Sequence, residues 1–370
     1  MKFGIFYEHQ LPRPWSEGRE LKLFQDALDQ VELADRLGID YAWEVEHHFL
    51  EEYSHSSAPE VFLAAASQRT KNIRLGHGIV LLPPNYNPPA RIAERIATLD
   101  LVSNGRVEFG TGESASRSEL EGFGIDPAKR RAMWREVIEQ VANMMAMDPY
   151  PGFQGEFFSM PPRNVLPKPY KPRHPAMWVA AGSPSTYERA GSLGMGVLGF
   201  NVGSVLQLRP HVDAYKAAVA DADPVGDFVN DNVMITGTLV CHEDGRRARE
   251  IACDMGLGYL QSLVFHKLDT FPRPPEIPEW PALIPEPTMD DIDWRIAEGY
   301  LICGDPDECA EQLQGYADIG CDQLVFGTPL DMAWEDARNC LRLFGDEVIP
   351  RFDKDSVHST TRYRDAAVGS

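Results

Sequence analysis

Residues 73–112 read IRLGHGIVLLPPNYNPPARIAERIATLDLVSNGRVEFGTG. Ile73 to Leu82 is almost wholly apolar, the pattern of a strand buried on both faces. Pro83, Pro84, Pro88 and Pro89 end it. Over residues 89–103, Ile92, Ile96, Leu99 and Val102 recur at three- and four-residue steps, and Asn104-Gly105 closes the helix they predict. Arg106 to Gly112 is strand-like again. Strand, helix and strand in succession form a parallel β-α-β unit, because parallel neighbours need a helical crossover.

The rhythm extends both ways. Upstream lie a strand at about 2–8, a helix bearing Phe24, Ala27, Leu28, Val31, Ala34 and Leu37, a strand at Tyr41 to His48, and a helix over 58–69. Downstream lie a helix over 127–147, strands at Met177 to Ala181, Gly196 to Asn201 and Val233 to Cys241, a helix at Gly245 to Phe265, and a strand at Gln323 to Thr328. Helices from Pro184 and over 204–220, 306–319 and 332–346 fill the intervals. Two proline-rich excursions, 148–175 and 268–295, interrupt it, the first with a hairpin at Gly155 to Ser159. Eight strand-like segments alternating with helices predict the α/β class and a closed (β/α)8 TIM barrel with insertions. The barrel is expected to be one domain over 1–350, followed by a polar, frayed tail over 351–370. No Gly-x-Gly-x-x-Gly opens the first helix, which argues against an open dinucleotide-binding sheet.

Of the 370 residues, 43% are hydrophobic and 25% charged, which excludes a largely disordered chain. The net charge of −21 repels phosphate backbones and anionic lipid, so neither nucleic acid nor a membrane surface is expected as a partner. No apolar run reaches the roughly 18 residues of a membrane helix. Met1-Lys2 leads at once into a strand, so no leader is expected and the location expected is cytoplasmic. The six cysteines form no Cys-x-x-Cys and are read as free thiols, with no metal site.

In such a barrel the chemistry sits where strands end. Those ends carry Glu8-His9, Glu46-His47-His48-Phe49, Gly76-His77-Gly78, Pro83-Pro84-Asn85-Tyr86, Gly110-Thr111-Gly112-Glu113-Ser114, Gly182-Ser183-Pro184-Ser185-Thr186 and Phe200-Asn201. Imidazoles titrate near neutrality, so His47 or His48 could move protons; structural hydrogen bonds account for the pair equally well. The hydroxyl-rich turn at Ser183 to Thr186 opens a helix, a place for a phosphate or for an ordinary N-cap. Arg131 could serve the same phosphate or form a surface ion pair.

With these residues in order, the chain resembles the bacterial luciferase-like flavin-dependent monooxygenases. The resemblance runs through Met1-Lys2-Phe3-Gly4, Glu46-His47-His48-Phe49, Ile79-Val80-Leu81-Leu82-Pro83 and Gly105-Arg106-Val107-Glu108-Phe109-Gly110. It continues through Phe123-Gly124, Arg131, Ser183-Pro184-Ser185-Thr186, Gly304-Asp305-Pro306-Asp307-Glu308-Cys309, Leu343-Phe344 and Val348-Ile349-Pro350.

The resemblance implies a (β/α)8 barrel that receives reduced FMN from a separate flavin reductase. O2 then gives a flavin C4a-(hydro)peroxide that oxidises a small organic substrate. By position, His47 matches the catalytic histidine, with Glu46 and His48 as its motif neighbours. Arg131, Ser183 and Thr186 match residues that hold the FMN phosphate, with Gly112 and Gly182 in the same loops. Gly78-Ile79 falls where many members carry a non-proline cis peptide beneath the flavin ring. His9, His77, Asn85, Glu113 and Phe200 are the candidate substrate-pocket residues. Luciferase has a cysteine-arginine pair where this chain has Gly112-Glu113, so Arg131 is expected to be the main cation and light emission is not expected. The 268–295 excursion coincides with the family's mobile loop and is expected to be a lid. A homodimer is expected on the resemblance alone. Three alternatives stay open: F420-dependent hydride transfer on the same barrel, a non-catalytic flavin-binding protein, and a metal-dependent hydrolase using Glu46, His47 and His48.

Overall fold

The computed structural model describes residues 1–201, 203–327 and 332–368. Eight parallel strands close on themselves: β1 (Lys2–Tyr7), β2 (Tyr41–Glu44), β3 (Arg74–His77), β4 (Val107–Gly112), β5 (Ala176–Ala181), β6 (Gly196–Gly199), β7 (Val233–Cys241) and β8 (Gln323–Gly327). Each pairs with the next in chain order, and β8 returns to β1 through Phe3↔Leu324 and Ile5↔Phe326. The (β/α)8 barrel read from the sequence is therefore the fold. Among the described residues, no helix is long and apolar enough to cross a membrane. Thr328, placed in the last strand by its pattern, lies outside the described residues.

Strand side chains alternate between two environments. One set packs outward against the helices, including Ile5, Leu75, Phe109, Val179 and Ile235. The other fills the barrel: Tyr41, Trp43, Trp178, Leu198, Met234 and Val325. Trp43 and Trp178 meet edge to face with centroids 5.4 Å apart. Gly76 faces the same space, where a Cβ would lie 2.2 Å from the Trp43 ring. A tryptophan pair across so narrow a barrel requires a residue without a side chain on the neighbouring strand.

Local details depart from the sequence pattern for physical reasons. The run Ile73 to Leu82 divides into β3 and the short strand Val80–Leu81, which pairs with β4. At the break, the Gly78 N–H donates to Glu44 O at 2.7 Å. All cis peptide bonds of the described residues precede proline, so the cis Gly78–Ile79 bond suggested by the resemblance is absent and the two-strand split makes the bulge instead. β2 ends at Glu44: Val45 N–H still donates to Tyr7 O at 3.2 Å, but His47 N–H has turned to Ser56 O at 2.8 Å. The single helix read over 245–265 is two, Gly245–Cys253 and Leu257–Lys267, parted at Gly256, whose φ of 68° glycine adopts without strain.

The C-terminal tail corrects another expectation. Instead of fraying, residues Ser359–Val368 form a helix docked at the N-terminal end of the barrel. Its polar residues answer buried carboxylates. Thr360 Oγ1 donates to Glu108 Oε1 at 2.6 Å, and Arg364 grips Asp100 at 3.2 and 2.8 Å. Glu108 also accepts from Trp178 Nε1 at 2.7 Å and from Arg74. Composition made the segment look solvated because its partners lie more than 250 residues away in the chain.

Candidate active site

The C-terminal rim is built under backbone constraint. Among the described residues, four of the six non-glycine residues with positive φ lie there: His9 (49°), Phe49 (65°), Glu51 (51°) and Ser114 (74°). Such conformations cost about 1–3 kcal/mol each and persist where surrounding structure holds them.

Three histidine–carboxylate pairs stand side by side at the ends of β1 and β2. His9 Nε2 lies 3.0 Å from Glu44 Oε1, His47 Nδ1 2.8 Å from Glu119 Oε1, and His48 Nε2 3.2 Å from Glu46 Oε1. Glu119 comes from the helix Arg117–Gly122 that follows β4. It also accepts the His48 backbone N–H at 2.9 Å and the Ser114 hydroxyl at 2.6 Å. Burial works against the charged His47 imidazolium, but Glu119, Glu8 and Glu46 together raise its pKa above the usual imidazole value. Burial likewise opposes the Glu119 carboxylate, yet His47, Ser114 and the His48 N–H hold its pKa below the ordinary one. The pair therefore favours imidazolium and carboxylate, with Nε2 the His47 nitrogen outside the Glu119 contact.

Glu46 and His48 are positioning residues. Glu46 Oε2 accepts the Leu81 N–H at 2.7 Å, and Oε1 accepts Asn87 Nδ2 at 2.9 Å besides His48. Glu46 thereby fixes the Val80–Leu81 strand. The His48 ring packs against Tyr86 and Phe123, 6.1 and 4.9 Å between centroids.

Beside these pairs opens a cavity of about 390 Å³, the size of a small-ligand site. Glu8, His9, Tyr53, Phe200 and Asn201 line it, with Val264 from the helix Leu257–Lys267. His47 stands behind this wall, its ring centroid 5.6 Å from that of Tyr53.

At the end of β5, Thr186 Oγ1 accepts the N–H groups of Gly182 and Ser183 at 3.2 and 3.0 Å. The hydroxyls of Ser183 and Ser185 gather beside it. Ser183 stands at the N-cap as its sequence predicts, but its hydroxyl makes no cap bond and Thr186 Oγ1 takes the backbone N–H groups instead. Next to it lie two guanidinium groups. Arg131 Nε is 3.4 Å from Glu113 Oε1, and Arg189 lies 4.0 Å from the same oxygen, 5.3 Å over the Trp134 ring. Arg189 Nε and Glu113 Oε2 are buried without hydrogen-bond partners among the described residues. A Cβ at Gly182 would meet only Phe271, at 3.7 Å. A half-buried guanidinium whose Nε has no hydrogen-bond partner among the described residues, a helix N-terminus and open space fit a phosphate.

The 268–295 segment crosses this rim. Thr270 donates to Ala115 O through N–H and Oγ1 at 3.2 and 2.9 Å, and Arg117 N–H donates to Asp269 at 2.8 Å. From the adjoining helix, the Tyr259 hydroxyl donates to Glu52 at 2.7 Å.

Of the residues chosen from sequence, His9 and Phe200 line the cavity, and His47 adjoins it. His77 does not: Gly76 and Gly78 occupy the inward positions, so His77 points outward toward Glu60 and Arg95, where burial pushes its pKa down to about 4. Asn85 is exposed and ties the rim to Phe123 O at 3.1 Å. Glu113 belongs with the two arginines, and Gly112 makes room for Ile79, which a Cβ would approach to 2.5 Å. Arg131, expected as the main cation, is 63% exposed, and the half-buried Arg189 lies beside the same carboxylate. Arg189 and Glu119, which the geometry brings to the rim, are not among the residues chosen from sequence. Only Arg189 carried a usable signal: three residues beyond Thr186, it falls on the same helix face.

The family model described as luciferase-like monooxygenase matches residues 1–323. The chain is 25% identical over 378 residues to the oxygenase component of a flavin-dependent trigonelline monooxygenase from Acinetobacter baylyi, covering 96% of this chain and 97% of that one. It is 26% identical over 334 residues to an F420-dependent glucose-6-phosphate dehydrogenase from Amycolatopsis mediterranei, covering 88% and 94%. The crystal structure of monooxygenase RslO1 from Streptomyces bottropensis matches with a TM-score of 0.78 at 27% identity, over 95% of this chain and all of that one.

Proposed function

Because the chain belongs to the luciferase-like monooxygenase family, we propose that it is the oxygenase component of a two-component flavin monooxygenase. In this reading it takes reduced FMN from a separate reductase and transfers one oxygen atom of O2 to a small organic substrate. The observation that carries it is the His47–Glu119 pair behind the wall of a cavity of small-ligand size at the strand ends. The near-complete match to an oxygenase component supports it. Arg131, Arg189 and the N-terminus of the helix Pro184–Ser192 would hold the phosphate. Bound reduced FMN supplies the electrons that activate O2. His47 Nε2 hands a proton to oxygen at the reacting centre, and the 268–295 lid keeps water away.

The decisive experiment is an anaerobic titration with reduced FMN, then O2. Tight binding followed by oxygen consumption and product supports the proposal. The dehydrogenase relative favours a second reading, F420-dependent hydride transfer. Anaerobic turnover with F420, and none with FMN and O2, would establish that reading instead.

Two further outcomes test the arrangement. Arg189→Ala is expected to weaken FMN binding about tenfold or more while leaving riboflavin, which lacks the phosphate, unchanged. Fluorescence titration with both flavins measures the contrast; equal losses would remove Arg189 from the phosphate site. Deleting residues 270–290 is expected to divert O2 to free hydrogen peroxide at the expense of product. Full product yield without extra peroxide would refute the lid.

A further inference from the structure

Besides His9, the cavity beside the rim histidines is lined by the charged residues Glu8, Lys22, Asp26 and Arg295. Three of these are answered within the fold. Lys22 and Asp26 pair across one helical turn, and Glu8 shares a hydrogen bond with the Tyr53 hydroxyl. Arg295 differs. Among the described residues no carboxylate forms an ion pair with it, and its hydrogen bond is to a neutral group, Nη2 donating to Gln261 Oε1 at 3.3 Å. The acids around it are committed elsewhere. Glu286 accepts the N–H groups of Gly258 and Tyr259, both at 2.9 Å. Asp291 accepts the Thr288 N–H and hydroxyl at 2.8 and 2.7 Å, and Asp293 accepts Arg249 Nε at 2.8 Å. The chain has 56 acidic residues against 35 lysines and arginines, yet a glutamine stands where a glutamate would have closed the pair.

A half-buried guanidinium on a cavity wall, left without a carboxylate, suits an anion that arrives from the cavity. Burial works against its charge more than Glu286, Asp291 and Tyr300 restore it, so a contacting anion has a cost to offset. The planar fork of an arginine matches the two oxygens of a carboxylate. Asp26, Glu286 and Asp291 favour a single negative charge over the second charge of a phosphate. Met255, Leu257, Leu260 and Leu301 line the same cavity and suit an apolar body. The net charge of −21 repels anions at long range, so the attraction must be one of contact.

We propose that Arg295 is the recognition point for a carboxylate on the organic substrate. The guanidinium donates hydrogen bonds to the carboxylate oxygens, while the rest of the molecule lies along the apolar wall. Arg295 belongs to the helix Met289–Ala297, at the end of the 268–295 segment. A bound carboxylate would therefore also tie that segment to the cavity it borders. The assignment rests on the reading that this cavity receives the substrate.

The probes are benzoate, its neutral isostere benzamide, and benzylamine, titrated calorimetrically into the full chain at about pH 7 without flavin. Benzoate is expected to bind about tenfold or more tighter than benzamide. Arg295→Gln should reduce that ratio to about threefold or less, and Arg295→Lys, which keeps the charge but not the fork, should retain part of it. Gln261→Glu supplies the missing internal carboxylate and should lower the ratio without touching Arg295. Equal binding of acid and amide, or tighter binding of benzylamine, would overturn the proposal. So would an unchanged ratio in Arg295→Gln, which would put the benzoate on another cation. Should that variant fail to fold, Gln261→Glu decides by the same ratio. Because no flavin is present, failure here leaves the oxygenase reading intact, and failure of the flavin titration leaves this binding result standing.

Discussion

His47→Ala is expected to lower product formation by about 10²–10⁴-fold while leaving FMN binding within about twofold of wild type. The loss follows from an imidazole whose two nitrogens are differently committed. Nδ1 is held by Glu119 at 2.8 Å, which fixes the ring and favours its protonated form. Nε2 can then deliver a proton to oxygen at the reacting centre. In the proposed arrangement FMN binding is spared because the phosphate site proposed at the end of β5 uses other side chains. With His47 as the acid, rate falls on the alkaline side as the imidazolium loses its proton. Glu119→Gln removes the charge that raises the His47 pKa, so this alkaline limb should move to lower pH. Product yield, flavin titration and the pH–rate profile measure the three effects. Unchanged turnover in His47→Ala would remove the residue from the chemistry.

The barrel was legible because parallel strands buried on both faces must be apolar, and the helices between them must carry a three-to-four-residue stripe. The rim followed from knowing where each strand ends. What lay beyond reach was pairing across the fold. Nothing near Glu119 links it to His47, 72 residues earlier; only the helix after β4 brings them together. His77 was misread, although the period of two contains the answer. Once Trp43 requires glycine at 76, residue 77 must point outward. The tail was misread because a polar helix that satisfies buried carboxylates has the composition of one that faces water.

That tail carries the second large effect. Arg364→Ala is expected to destabilise the fold by about 3–5 kcal/mol, read as a lower urea midpoint at unchanged slope. Arg364 and Asp100 are 4% and 0% exposed, so removing the guanidinium leaves a carboxylate with no access to water. Asp100 also accepts the Tyr170 N–H at 2.9 Å, and it cannot turn away without orphaning that group. The penalty thus belongs to the uncompensated charge more than to the lost contact. A second variant separates the two. Asp100→Asn combined with Arg364→Met removes both charges, keeps an acceptor for Tyr170 and fills the space of the arginine stem. It should recover a large part of the loss, as replacement of both buried partners commonly does. A wild-type midpoint for Arg364→Ala would show that the helix Ser359–Val368 is not a structural floor. A double variant no better than the single would assign the cost to packing instead. The floor matters to the site because Thr360 and Trp178 share Glu108, and Trp178 abuts Trp43 in the barrel interior. Loosening the tail should therefore reach the rim through the two tryptophans, and Arg364→Ala should weaken FMN binding without touching any residue of the phosphate cradle.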